Sequence, residues 1–269
     1  MHLKRWITSI IGLPFLILLI WKGKPLLFLI FINLVCFFCM FEYYRIVRNS
    51  SEKAIFDPIL ILGFIFGQLI IYAMYINSFK AVLLILSLNL ISCGFISLSR
   101  YKLDPKVIIV LAKQVQGMIY IPLFLSYAVL IRNDDDGHLW IFLVLAIIFA
   151  GDTGAYYVGS YFGKHKLSPS ISPGKTIEGA IGGICANILV GLIFKTLFLP
   201  NLNVIISIIY FISAGIIGQI GDLFESELKR DAKIKDSGNI LPGHGGILDR
   251  IDAVLFAMPI TYLFKYYIF

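Results

Sequence analysis

Nine apolar runs, each about as long as a lipid bilayer is thick, make up most of this chain. A helix needs ~20 mostly apolar residues to span the hydrocarbon core. The composition agrees, because 59% of the 269 residues are hydrophobic and only 14% are charged. We therefore predict an all-α, polytopic integral membrane protein with about nine transmembrane helices. The predicted spans are residues 6–21, 25–41, 58–76, 80–98, 107–131, 139–160, 177–198, 203–223 and 247–268.

The first apolar run is expected to be a retained helix. The small-residue cleavage pattern that ends a secretory signal peptide does not follow Met1. Because the first two runs are short, we expect a tight helical hairpin around residues 21–25.

The net charge of +7 could suggest nucleic acid, but the positions of the basic residues favour a membrane topology instead. With the N-terminus inside, most lysines and arginines in the predicted loops fall on the cytoplasmic side, as the positive-inside rule requires. The C-terminus would then lie outside. The loops around Lys166 and Lys233 would be cytoplasmic, and no nucleic-acid partner is expected.

The four cysteines give little functional information. Cys36 and Cys39 have the C-x-x-C spacing of metal and redox sites, but no His or Cys cluster supplies further ligands. We predict that these two, with Cys93 and Cys185, are inert packing residues.

Polar residues divide the chain into two halves. Residues 1–138 are apolar helices with few charges, whereas residues 139–269 hold every dense polar motif. We predict one integral membrane domain, 1–269, with a helical scaffold half and a catalytic half.

The first polar motif is Gly151-Asp152-Thr153-Gly154, within an apolar run. A carboxylate at membrane depth costs ~2.5–3.5 kcal/mol on insertion scales and by default indicates function. The alternative is that Asp152 pairs with a Lys or Arg of a neighbouring helix for assembly.

The second motif is Ser172-Pro173-Gly174-Lys175-Thr176. We expect Thr176 to cap the helix that follows, and a helix N-terminus beside Lys175 can hold a phosphate. The alternative is an ordinary cytoplasmic lysine. A Walker A loop is unlikely, because its earlier glycine is missing and we expect no preceding strand. Close helix packing is the predicted role of Gly179, Gly182 and Gly183.

The third motif runs from Asp222 to Asp252. Asp222, Ser226 and Lys229 or Arg230 share one helical face by their spacing, and a loop containing Pro242-Gly243-His244-Gly245-Gly246 follows. Backbone amides in such a loop can approach an anion. The alternative is a solvated amphipathic loop without a catalytic role.

Carboxylates stand on both sides of that loop. Asp249 and Asp252 are three residues apart at the start of the last helix. Together with Asp222 they would form an oxygen-rich cluster that suits a hard cation such as Mg²⁺ and not zinc. Cations, a glycine-rich loop and a carboxylate-held metal fit phosphoryl or nucleotidyl transfer.

The third motif closely resembles that of the phosphatidate cytidylyltransferases (CDP-diacylglycerol synthases). The stretches FAGDTGAYYVGSYFGKHKL and SISPGKTIEG resemble the same family, so that the likeness covers roughly residues 145–260. One departure is Ile177, where relatives often have Trp, and it affects only local packing. The matching positions are Ser226-x-Leu228-Lys229-Arg230-x4-Lys235-Asp236-x-Gly238-x3-Pro242-x-His244-Gly245-Gly246-x2-Asp249-Arg250-x-Asp252.

The resemblance implies that CTP and phosphatidic acid react to CDP-diacylglycerol and pyrophosphate at a bacterial inner (plasma) membrane. It implies Mg²⁺, leaves room for a second cation (K⁺ or another Mg²⁺), and leaves a homodimer open. By position, it assigns metal binding and catalysis to Asp222, Asp249 and Asp252, catalysis also to Lys229, and substrate binding to Asp152, Lys175, Ser226, Arg230, Lys235, His244, Gly245 and Gly246.

Three other classes of protein are alternatives. A CTP-dependent lipid or polyprenol kinase shares the same physics and is the nearest alternative. A CDP-alcohol phosphotransferase is disfavoured, because its D-x2-D-G-x2-A-R run is missing. A transporter with Asp152, Lys113 and Gln114 on an ion path would not need the basic glycine-rich loop.

Overall fold

A computed structural model describes residues 2–48, 57–240 and 245–269, with side chains from Gly12 onward. Most of these residues are helical. The helices are α1 His2–Lys22, α2 Pro25–Val47, α3 Pro58–Tyr75, α4 Phe79–Arg100, α5 Val107–Met118, α6 Phe124–Arg132, α7 Gly137–Phe162, α8 Ile177–Phe198, α9 Val204–Asp231 and α10 Leu248–Leu263.

Eight helices of the described part are long and apolar enough to cross a membrane. They correspond to the second through ninth predicted runs, and the first run is represented by the apolar end of α1, Gly12–Lys22. The expected tight connection after it is also present, since α2 begins at Pro25. The prediction of an all-α polytopic membrane protein is confirmed.

A wide helical turn at Ile119–Leu123 joins α5 to α6. This turn contains Pro122, whose ring has no N–H to donate and would clash with the carbonyl one turn earlier in an α-helix. A π-type turn accommodates such an interruption without ending the span, so α5 and α6 together form one membrane helix, Val107–Arg132.

A small antiparallel hairpin is the exception to the helical fold. Its strands, β1 Lys166–Ser168 and β2 Ser172–Thr176, pair Lys166 with Thr176 and Ser168 with Ser172. Ser168 and Ser172 each precede a proline, and a residue in that position is disfavoured from the α conformation. The serine-proline pairs therefore keep this connection extended.

The described chain forms two compact units, which we treat separately. The first contains the residues up to Asn133 together with Asp231–Arg250, and the second contains Asp134–Arg230 together with Ile251–Phe269. The boundary at Asn133 lies near the predicted division at residue 138. The glycine-rich part of the third motif, however, groups with the first unit. The assignment of scaffold and catalytic halves stays a prediction.

In the first unit, α3 packs against α2, α4, α5 and α6. Two buried amides join α4 to α5, since Gln114 Nε2 donates to Asn89 Oδ1 at 2.9 Å and Asn89 Nδ2 donates to Gln114 Oε1 at 3.2 Å. Such reciprocal pairs satisfy polar groups that lipid cannot. The third cysteine, Cys93, is buried here as predicted.

The remaining cysteines divide. Cys36 and Cys39 are buried in α2, in agreement with a packing role. Cys185 on α8 is exposed, so its predicted role as a packing residue is wrong. An apolar run predicts that a residue lies in a membrane helix, but not which face of that helix is buried.

In the second unit, α7 and α8 pack with their backbones nearly in contact. A Cβ added to Gly183 would lie 2.9 Å from the carbonyl oxygen of Gly151, and a Cβ added to Gly179 would lie 2.8 Å from that of Ala155. A Cβ at Gly182 would overlap Val158. The predicted packing role of the three α8 glycines is confirmed, since small residues permit such close approach in membrane bundles.

Candidate active site

A cavity of about 400 Å³ lies in the second unit, among α7, the hairpin, α8 and α9. Residues from all three polar motifs or their flanks line it. Asp152 comes from α7, Lys175 from β2, and Asp222 from α9. These residues belong to separate sequence motifs, and the fold brings them to one cavity inside an apolar helix bundle.

Small residues make room for this cavity. Ala155, Gly159, Gly179 and Ala180 are part of its lining, and a Cβ at Gly159 would lie only 3.0 Å from the hydroxyl oxygen of Thr176. Larger side chains on these faces of α7 and α8 would fill the space. The small residues therefore explain both the close packing of the two helices and the presence of the cavity.

Lys175 and Asp222 form an ion pair in the cavity. Their side chains are 28% and 33% exposed, but the Nζ atom of Lys175 itself is buried. Gln219, one turn before Asp222, also lines the cavity, and its Nε2 donates to the carbonyl of Ala180 at 3.0 Å. Sequence reasoning did not identify Gln219.

Thr176 ends β2 and caps α8. Its Oγ1 accepts a hydrogen bond from the backbone N–H of Gly179 at 3.1 Å, which confirms the predicted cap. The cap directs the start of α8 towards the cavity wall. The expectation that no strand precedes Gly174-Lys175-Thr176 is wrong, because these residues end β2, but the earlier Walker A glycine is still missing.

Three carboxylates of the second unit repel one another. Asp222 acts electrostatically on both Asp152 and Asp252, and Asp152 also acts on Asp252. The opposing charges are Lys175 for Asp152 and Lys229 for Asp252. An all-oxygen donor set with excess negative charge suits a hard divalent cation, so these residues fit Mg²⁺ in charge and chemistry.

The predicted metal ligands are divided between the two units, with Asp222 and Asp252 in the second. Among the described residues, no group of three or more His, Cys, Asp or Glu side chains has an arrangement that holds a metal ion. Asp249 belongs to the first unit, where its Oδ2 accepts the N–H groups of Ser237 and Gly246, each at 2.9 Å. Metal binding by Asp222, Asp249 and Asp252 stays a prediction.

The basic end of α9 is held by contacts within the second unit. Lys229 pairs with the fully buried Glu225 one turn earlier, and Arg230 Nε donates to the carbonyl of Ile171 in the hairpin at 3.0 Å. Ser226 lies half-buried on the same helix. Glu225 was missed, although its spacing of four residues before Lys229 is that of a helical ion pair.

The glycine-rich loop is described on both sides of residues 241–244. Lys235 is exposed. Gly245 has φ +83°, a left-handed conformation that favours glycine, and Gly246 is buried. His244 lies outside the described residues. Sequence reasoning also missed Glu42, which contacts this loop.

The comparisons with known proteins agree with the sequence motifs. The model of the cytidylyltransferase family matches residues 3–268. A phosphatidate cytidylyltransferase of Staphylococcus saprophyticus is 32% identical over 259 residues, which are 95% of this chain and 96% of that protein. One of Staphylococcus aureus (strain COL) is 34% identical over 256 residues, with the same coverage.

A third relative matches more strongly over a shorter stretch. The phosphatidate cytidylyltransferase of Bacillus subtilis (strain 168) is 47% identical over 145 residues, and there the chain spans about half of the relative's length, 54%. The family match itself covers nearly every residue, and the two Staphylococcus matches extend over almost the whole of both proteins. On these grounds, the chain belongs to the cytidylyltransferase family.

Proposed function

We propose that this protein transfers the CMP group of CTP to phosphatidic acid, giving CDP-diacylglycerol and pyrophosphate. The observation that carries the proposal is the cavity of the second unit, where Asp152, Lys175 and Asp222 meet among membrane-type helices. A cavity that combines charged side chains with apolar lining suits a substrate with a charged head and apolar tails. The family match and the names of the three relatives support the same activity.

The reaction requires positioned charges more than an activated side chain. A phosphate oxygen of the lipid attacks the α-phosphorus of CTP, and the bond from that phosphorus to the bridging oxygen of the β-phosphate breaks. Pyrophosphate leaves with the electron pair. Because the lipid phosphate is already an anionic nucleophile, no general base is needed. Catalysis then rests on orientation and on stabilisation of the developing charge.

Lys175 is the best-placed cation for a phosphate. Its side chain lines the cavity, two residues before the first turn of α8, and both the charge and the helix N-terminus favour an anion. In the structure Asp222 balances this charge. We propose that a substrate phosphate competes for Lys175 and that Asp222 is then available to a cation.

The other basic and loop residues are assigned by motif. We propose that Lys229, Arg230 and Lys235 neutralise phosphate charge, and that Gly245 offers a backbone N–H group, as anion-binding loops do. Gly246, whose own N–H donates to Asp249, would hold the loop backbone beside the substrate. His244 would be a further phosphate contact. Ser226 and Asp152 would line the substrate site.

We propose Mg²⁺ as the cofactor, held by Asp222 and Asp252 with Asp249. When bound, it would supply positive charge that stabilises the departing pyrophosphate. The mutual repulsion of the second unit's carboxylates supports this assignment. A second cation, K⁺ or another Mg²⁺, is part of the proposal only through the family resemblance.

We further propose that the protein lies in a bacterial plasma membrane with its N-terminus in the cytoplasm. The apolar helices and the bacterial relatives support the membrane. The distribution of lysine and arginine supports the orientation. In this topology the loops around Lys166 and Lys233 face the compartment that contains CTP.

The direct test uses purified protein in lipid nanodiscs that contain phosphatidic acid. We expect CTP and Mg²⁺ to give CDP-diacylglycerol and pyrophosphate in equal amounts, identified by mass. Asp222→Asn measures the background. Glu227→Gln, the same kind of change at an exposed position of α9, is the matched control and should remain active. Lipid phosphorylation with release of CDP would instead identify a CTP-dependent kinase.

A further inference from the structure

Glu42 is a fully buried carboxylate on α2, in the first unit. Burying an ionised carboxylate is costly unless hydrogen bonds or opposite charges compensate. A glutamate at this position is therefore expected to have strong partners.

The partners of Glu42 come from the glycine-rich segment. Its Oε1 accepts the backbone N–H of Ile247 at 3.1 Å. Its Oε2 accepts the N–H of Leu248 at 2.8 Å and the hydroxyl of Ser237 at 3.1 Å. The two N–H groups belong to the start of α10, where no intrahelical partner exists and negative charge is favoured. Glu42 thus caps α10 from another helix.

Two glycines let the loop backbone reach this carboxylate. A Cβ at Gly238 would lie 2.8 Å from the carboxyl carbon of Glu42, and a Cβ at Gly246 would lie 2.6 Å from its Oε2. No side chain fits at such distances. The sequence motif fixes glycine at both positions, and the approach of Glu42 gives a physical reason for it.

Asp249 also binds both ends of this segment. Its Oδ2 accepts the N–H groups of Ser237 and Gly246, each at 2.9 Å. Glu42 and Asp249 together therefore hold the segment that enters the loop, at Ser237, against the segment that leaves it, at Gly246–Leu248. We call this contact the loop neck.

We propose that Glu42 is a positioning residue for the reaction, which fixes the loop neck and thereby the geometry of Lys235, Gly245 and Asp249. This inference rests on the proposed function, in which Lys235 and Gly245 contact phosphate and Asp249 helps to hold the metal, and it assigns that phosphate to CTP. Glu42 acts through the loop and not on the substrate. Its loss should therefore weaken the use of CTP more than that of phosphatidic acid.

Glu42→Gln is the sharpest test, because glutamine keeps the size of the side chain but turns an NH₂ group towards N–H donors. We expect the KM for CTP to rise about tenfold or more, while the KM for phosphatidic acid stays within about twofold. Hydrogen exchange of the peptide that contains Ile247 and Leu248 should become about tenfold faster. The exposed Glu227→Gln should change neither quantity.

Ser237→Ala provides a milder variant in case Glu42→Gln does not insert. It removes only the hydroxyl donor to Oε2, and we expect the KM for CTP to rise about two- to fivefold. An unchanged exchange rate in Glu42→Gln, or an unchanged KM for CTP in the variant that inserts, would overturn the proposal. If the wild-type protein makes no CDP-diacylglycerol, the proposed function fails separately, and the exchange experiment still decides whether Glu42 holds the loop neck.

Discussion

Lys175 on β2 and Asp222 on α9 form an ion pair that joins the hairpin to the third membrane helix of the second unit. Their sequence motifs are 47 positions apart by residue number, and neither motif alone reveals the pairing. Each charge stabilises the other in apolar surroundings, and both side chains line the cavity. The pair therefore links the stability of the site to its capacity for an anion and a cation.

The first prediction concerns this pair. Asp222→Asn should lower turnover by at least about 100-fold, because it removes a ligand of the proposed cation. Lys175→Ala should lower turnover by about 10- to 100-fold, because it removes a positive charge that faces the reacting phosphates. The double variant should be little worse than Asp222→Asn, since the two residues act as a unit. Initial rates with CTP and phosphatidic acid measure these effects. A loss of turnover in the double variant that equals the product of the two single losses would contradict a shared role.

The second prediction concerns Asp249. Asp249→Asn keeps the shape of the side chain but removes its charge, so the two N–H groups at the loop neck lose a charged acceptor. We expect turnover to fall by about 100-fold while the protein still inserts and purifies. Activity is to be measured across a Mg²⁺ titration. Near-normal turnover at limiting Mg²⁺ would show that the metal assignment is wrong.

The third prediction concerns the contact of α7 with α8. In Gly183→Ala the new Cβ would lie 2.9 Å from the backbone carbonyl oxygen of Gly151. Relief of this overlap requires a shift of the α7 or α8 backbone, which costs packing energy. We expect a loss of about 1–3 kcal/mol of stability, as in other overpacked cores. Thermal unfolding in detergent measures it. Gly94→Ala on α4, where a Cβ meets nothing within 4 Å, is the control and should unfold like the wild type.

The helices were predictable because an apolar run of bilayer length has few other structures available. Thr176 and the α8 glycines were predictable for a similar reason, since capping and close packing depend on residues a few positions apart. The hairpin was missed because strands of three and five residues leave no long pattern, although the two serine-proline pairs already disfavoured helix there.

Glu42 could not be found by any local pattern. Its partners Ser237 and Leu248 are 195 and 206 positions away, so only the fold reveals the contact. The same holds for Arg230, which looks like a phosphate ligand in its motif but binds the carbonyl of Ile171 in the hairpin. Sequence shows which charges are present near a site, whereas the fold shows which of them already have partners.

The fourth prediction concerns topology. Single cysteines in place of Lys166 and Lys233 should react with a membrane-permeant maleimide in intact cells, because the positive-inside rule places both loops in the cytoplasm. An impermeant maleimide should label them only after the membrane is opened. A cysteine at the exposed Asp135 serves as the opposite control, which the impermeant reagent should reach. Labelling of the Lys166 position by the impermeant reagent in intact cells would refute the orientation.

The position of the label in the lipid product tests the central claim most directly. Two CTP samples, one labelled at the α-phosphate and one at the γ-phosphate, are incubated separately with the purified protein, Mg²⁺ and phosphatidic acid. Attack at the α-phosphorus predicts that α-label enters the lipid fraction and that γ-label is recovered in pyrophosphate. The Asp222→Asn protein should give neither product above background. Entry of γ-label into lipid, with α-label left in CDP, would contradict the account and identify a kinase.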